Sequence, residues 1–196
     1  MSELSTAMKR NSKGDASIAL AEAPLTRVWN LRGDPSRTAF VAEAERLLGI
    51  ALPLAANTST RHLNVVEMLW TGPRAWLLVG GAGWTPPDLD GVRRALNAVN
   101  GALFDVSASY VAWSVAGPAA ASVLNRCCPL DLHPRVFPAG HCAQSLLGHI
   151  GALFYRPDDD SRFIVWVARS FAADAWTQLS VAAMADGYGS DDVDVA

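Results

Sequence analysis

The residues of this chain that could hold a metal are Cys127, Cys128, His133, His141, Cys142 and His149. Structural zinc sites use paired C-x2-4-C or H-x3-5-H spacings, so that two ligands reach one ion from one turn. Adjacent cysteines do not easily converge on an ion, and no matching second pair follows them. The cysteines therefore read as small buried hydrophobes, the usual state of a free cysteine. Ser107, two residues after Asp105, has the chemistry of a nucleophile but lacks a G-x-S-x-G elbow around it. Asp105 and Ser107 are expected instead to hydrogen-bond nearby backbone where a strand begins.

Three further stretches invite a chemical reading. Gly80-Gly81-Ala82-Gly83 follows a strand-like run, as a phosphate-binding loop would, but Trp84, Thr85, Pro86 and Pro87 come next. The Lys-Ser/Thr end that such a loop needs is missing. Asp158-Asp159-Asp160 lacks the alternating spacing of a calcium loop and reads as a solvated hairpin turn. Of the seven tryptophans, Trp70 and Trp84 lie near turns and are the better candidates for a protein interface, where Trp is enriched. No catalytic, cofactor-binding or metal-binding residue is assigned to the chain.

A net charge of −3 with dispersed Lys and Arg gives no electrostatic surface for nucleic acid. Hydrophobic residues make up 51% and charged residues only 18%, which implies a globular chain with part of its surface covered by a partner. Residues 106–125 are uncharged, but Ser107, Ser109, Ser114, Gly117, Pro118, Ser122 and Asn125 interrupt them, so they read as core and not as a membrane span. Three cysteines form no disulfide framework, and no basic start followed by a long apolar run opens the chain, so a cytoplasmic location is expected.

The elements follow from periodicity. Residues 1–24 mix charges with small polar residues and are expected to form a flexible N-terminal arm; residues 188–196 form an acidic C-terminal tail. Thr26 to Arg32 reads as a strand, with Asp34 as N-cap and Pro35 as first residue of a helix that uses Phe40, Ala44, Leu47 and Leu48 and stops at Gly49. Leu63 to Trp70 and Ala75 to Val79 form a hairpin, and Asp88 to Asn100 a helix with Leu89, Val92, Leu96 and Val99 inward. Gly101 to Asn125 reads as one strand with Val111, Trp113 and Val115 on a face, a Gly117-Pro118 turn and a helix. Cys142 to Leu147, Ile150 to Tyr155 and Phe163 to Ala168 are strands, and Phe171 to Ala185 is a helix with Phe171, Ala175, Leu179 and Ala182 inward.

Trp29 and Gly33 recur as Trp113 and Gly117, both at an offset of 84 (113 − 29 and 117 − 33). The fold class is therefore α+β: tandem β-α-β-β-α modules, 25–101 and 102–187, with antiparallel sheets covered by helices in a single domain 25–187.

The LFDVS run, its alternating strand, the Gly-Pro turn and the helix resemble the folate-binding aminomethyltransferase fold of the glycine cleavage T-protein. In the T-protein pattern a later glycine-rich hairpin ends in paired acids, one of which contacts folate. The corresponding stretch here is Gly148 to Arg156, with Ala152 and Leu153 where the acids would stand. Neither side chain can take a proton. The resemblance to the gamma subunit of heterotetrameric sarcosine oxidase is closer, covering most of 25–187. It rests on Asp105-Val106-Ser107, Cys128-Pro129-Leu130-Asp131-Leu132, Phe137 to Gln144 (FPAGHCAQ) and the late FIVWVARSFAADAWTQL run.

That resemblance implies a subunit without its own cofactor. It implies alpha, beta and delta partners that carry FAD, FMN, NAD, zinc and tetrahydrofolate, in an oxidase that demethylates sarcosine to glycine. The products would be hydrogen peroxide and formaldehyde or methylenetetrahydrofolate. The alternative is a stand-alone folate-binding aminomethyltransferase-like protein.

Overall fold

The computed structural model describes residues 17–23, 27–63, 65–81, 84, 88–158 and 160–185. In chain order its strands and helices are β1 (Ala19–Ala23), β2 (Arg27–Arg32), α1 (Thr38–Leu48), β3 (Ser59–His62), β4 (Val66–Gly72), β5 (Ala75–Gly80) and α2 (Leu89–Ala98). There follow β6 (Ala102–Asp105), β7 (Tyr110–Ala116), α3 (Ala120–Asn125), β8 (Cys142–Leu147), β9 (Ile150–Tyr155), β10 (Arg162–Ala168) and α4 (Ala172–Met184). The chain divides into two compact units: one is Leu25–Ser109, and the other joins β1 to the chain from Tyr110 onward.

In the first unit a five-stranded antiparallel sheet runs β3-β4-β5-β2-β6. The i, i+4, i+8 spacing of Phe40, Ala44 and Leu48 places all three on the buried face of α1, and Val92 and Leu96 do the same for α2. They pack with Trp29 and Leu31 of β2, Met68 of β4, and Trp76 and Leu78 of β5. Each large apolar side chain so buried contributes about 1.5–3 kcal/mol relative to exposure. Gly49 ends α1 in the left-handed conformation, and Asp88 caps α2 by accepting the Gly91 N–H at 3.0 Å.

In the second unit the sheet runs β8-β9-β10-β7-β1. Val111, Trp113 and Val115 of β7 meet Phe163, Val165 and Val167 of β10, Val123 and Leu124 of α3, and Ala175, Leu179 and Ala183 of α4. The two sheets have one strand order, with β2 matched by β7 and β5 by β10. Their turns match too. Gly33 N–H donates to the Arg74 carbonyl at 3.3 Å, and Gly117 N–H to the Ser161 carbonyl at 3.1 Å.

Several expectations are corrected. The stretch from Gly101 is two strands, not one: β6 pairs with β2 in the first sheet, and β7 pairs with β1 and β10 in the second. A 3-10 turn at Ser107–Ser109 separates them. Sheet pairing thus puts the break between units after Ser109, where the repeat reading puts it after residue 101. Within the expected N-terminal arm, residues 19–23 form β1; residues 1–16 and 24 lie outside the described residues, as does the acidic tail. The strand β3 (STRH) has no apolar alternation, so local pattern does not mark it.

Helix starts also differ. The residue preceding α1 is Arg37, and Asp34 accepts from the Ser36 N–H and hydroxyl in the turn before it, so Pro35 stands outside the helix. Likewise α3 begins after Pro118, with Ala119 in front of it. Phe171 is 43% exposed instead of inward, because a 3-10 turn at Arg169–Phe171 rotates it off the face that carries Ala175 and Leu179.

Candidate functional site

Ser107 is spent on structure. Its hydroxyl donates to Asp105 Oδ1 at 2.7 Å and accepts from the Val28 N–H at 2.9 Å, while its own N–H donates to the same carboxylate at 2.9 Å. These two bonds from Ser107, with Arg27 3.8 Å away, hold the Asp105 carboxyl below the usual carboxylate range. The Ser107 N–H bond to Asp105 is the local bond expected of this turn, while the bond to Val28 ties the end of β6 to β2.

The cysteines are free thiols. Burial pushes Cys127 up to about 11 and Cys128 upward as well, so neither is a ready nucleophile. Cys142 is fully buried on β8. His149 stands exposed in the β8–β9 turn, and His141 lies edge-on to Phe137 with ring centroids 6.0 Å apart. Among the described residues no three of His, Cys, Asp and Glu come together as a metal site. Asp158 pairs with Arg162 and accepts from the Asp160 N–H, which is a closed turn; Asp159 lies outside the described residues. Trp84 packs edge-on to Trp29 at 5.6 Å, and both Trp84 and Trp70 lean half-buried on the first core.

What the structure does assemble is a cavity of about 620 Å³ in the second unit. It lies among the Gly-Pro turn, α3, the 133–134 loop and the start of β10. Its polar lining is Ser122, Asn125, Arg126, His133, Arg156 and Ser161. Arg156, only 5% exposed, is held by its N–H to the His141 carbonyl at 2.9 Å and by Nη1 to the Phe137 carbonyl at 3.2 Å. Arg126 Nε donates to the Ala182 carbonyl at the end of α4 at 2.9 Å. The sequence drew no attention to this group. Its one available signal was Arg156, a charge closing the apolar run Ile150–Tyr155.

A family profile described as "Sarcosine oxidase, gamma subunit family" matches residues 32–185. The sarcosine oxidase subunit gamma of Corynebacterium sp. (strain U-96) is 34% identical over 148 residues, 76% of this chain and 71% of that protein. The chain belongs to the sarcosine oxidase gamma subunit family. The subunit gamma of an Arthrobacter species is 30% identical over 163 residues, covering 83% of this chain and 78% of the relative. Among solved structures, the heterotetrameric sarcosine oxidase from Corynebacterium sp. U-96 in complex with pyrrole 2-carboxylate contains a chain that superposes with TM-score 0.80 at 29% identity. That match spans 90% of this chain and 88% of the other.

The glycine cleavage system aminomethyltransferase T from Bartonella henselae shares the fold alone, with TM-score 0.57 at 15% identity over 84% of this chain and 46% of that one. Neither position 152 nor position 153 of β9 carries an acid. Ala152 and Leu153 stand there at 6% and 7% exposure, Ala152 within the second core. Ala152 lies opposite Val167 on one side and Ser145 on the other. No helix among the described residues is long and apolar enough to cross a membrane.

Proposed function

We propose that this chain is a non-catalytic subunit of a heterotetrameric sarcosine oxidase, which oxidatively demethylates sarcosine to glycine in the cytoplasm. The carrying observation is the family match across residues 32–185, joined to the superposition with a chain of heterotetrameric sarcosine oxidase. In this reading alpha, beta and delta partner subunits carry FAD, FMN, NAD, zinc and tetrahydrofolate, and this chain serves assembly. The disposition of its reactive side chains supports that role: Ser107 is bonded into a turn, and Cys128 and Cys142 lie in the interior. Exposed Val136, Val181, Met184 and Phe104 supply apolar surface for partner subunits, since interfaces draw on such residues at their centres.

The test is co-expression of the tagged chain with genes for the partner subunits, followed by size exclusion and an absorption spectrum. A yellow complex that makes hydrogen peroxide only when given sarcosine supports the proposal. A colourless lone chain that binds tetrahydrofolate overturns it.

A further inference from the structure

We propose that the cavity beside α3 binds a small organic anion, a carboxylate or phosphate group carried on an apolar body. The charge of its lining points one way. Two guanidiniums face it, and none of its lining residues is acidic. A guanidinium offers five donors and no acceptor, in a fork that matches both carboxylate and phosphate.

Two of the neutral polar side chains, Asn125 and His133, present donors as well. Asn125 Oδ1 accepts the Leu132 N–H at 3.1 Å, which leaves the side-chain NH2 as its remaining group. His133 Nδ1 accepts the Arg135 N–H at 3.2 Å, so the neutral ring carries its proton on Nε2. The loop at 132–135 thereby consumes the acceptors of two lining side chains and leaves their donors. A lining in which donors outnumber acceptors is best matched by a ligand that accepts. Pro118, Ala121, Pro134 and Phe163 form the rest of the wall and suit an apolar body. At about 620 Å³ the space falls within the roughly 300–1,000 Å³ typical of small-molecule sites.

Arg156 makes the site built, not incidental. It is 95% withdrawn from solvent (100 − 5) and anchored at backbone and side chain, so its charge is already desolvated and fixed before a ligand arrives. Arg126, exposed and held by Nε to the Ala182 carbonyl, supplies a second charge, and Ser122, exposed on α3, offers a position free of that tie.

The experiment is ligand-observed fluorine NMR on the full-length chain, in the assembly in which it purifies. The probes are 4-fluorobenzoate, 4-fluorophenyl phosphate and the uncharged 4-fluorobenzamide. Saturable broadening of at least one anion, with none for the amide, is expected; which anion binds more tightly identifies the head group. Arg126→Glu and, separately, Ser122→Glu are expected to weaken that binding by at least about tenfold, the scale of a lost charge-assisted hydrogen bond. Arg126→Lys is expected to weaken it less. Circular dichroism confirms that each variant is folded. Equal broadening of the amide, anion binding unchanged in both Glu variants, or no saturable broadening of either anion overturns the proposal.

Discussion

The backbone of Ser17 closes over Gly117. A Cβ on the glycine would stand 2.7 Å from the Ser17 carbonyl oxygen, and that oxygen also accepts the Ala119 N–H at 3.0 Å. With φ at +117°, Gly117 occupies backbone space that L-residues rarely enter. The approach seals the entry of β1 against the turn that leads from β7 to α3.

Gly117→Ala is therefore expected to destabilise the protein by at least about 1–3 kcal/mol, the cost of one strained backbone site. Gly151→Ala is its control, since nothing lies within 4 Å of a Cβ there, and should change stability by under about 1 kcal/mol. Denaturant midpoints of the two variants check the contrast.

Leu20 tests whether β1 is part of the second unit or a dispensable arm. It is 1% exposed, lies opposite Val115 and belongs to the second core. Leu20→Ala is expected to cost about 2–5 kcal/mol, as for other large-to-small core changes. Hydrogen exchange should speed up across β7 and β10 more than across β2 and β5. Unchanged exchange in β7 would refute the assignment of β1 to that sheet's stability.

Cys127 should be a poor nucleophile. With its thiol pushed up to about 11 by burial, iodoacetamide at pH 8 should alkylate it about two orders of magnitude more slowly than a free cysteine of ordinary pKa. The linkage has a definite sign. Between the ordinary value of 9.0 and about 11, the unfolded chain releases the proton and the folded one keeps it. Cys127 thus contributes stability that is whole below pH 9.0 and is lost as pH rises to about 11. Melting curves of the parent and Cys127→Ser, taken from pH 8 to 11, should diverge in that window, with the parent falling faster.

Ala152→Asp would place an acid in apolar surroundings. The side chain faces the apolar second core at 6% exposure. A carboxylate left there without a partner is expected to cost about 3–5 kcal/mol. The check is the denaturant midpoint, or the soluble yield if the variant does not fold.

Much of the fold was legible in local pattern. The faces of α1 and α2, the stop at Gly49 and the inward row Val111, Trp113 and Val115 all follow from periods of 3.6 and 2 and from side-chain chemistry at element ends. The local bonds between Asp105 and Ser107 were legible for the same reason, because they close within a short turn, but the bond from the Val28 N–H to Ser107, 79 residues apart, was not. The cavity was not legible. Arg126, His133 and Arg156 are separated by 7 and 23 residues (133 − 126 and 156 − 133) with no motif between them, and they converge only once α3, the 133–134 loop and β9 are placed.

The sequence by itself determined the elements, their buried faces, the repeat of Trp29 and Gly33 as Trp113 and Gly117, and the family. Tertiary structure alone decided which sheet each edge strand joins. β6 follows α2 yet completes the first sheet beside β2, while β1 comes earliest of the described strands and completes the second beside β7. Such pairing is made by backbone N–H and carbonyl groups, which every residue but proline carries alike, so side-chain pattern does not name the partner. It is chosen by which apolar face each strand must bury and where the chain can reach, and those are properties of the folded whole.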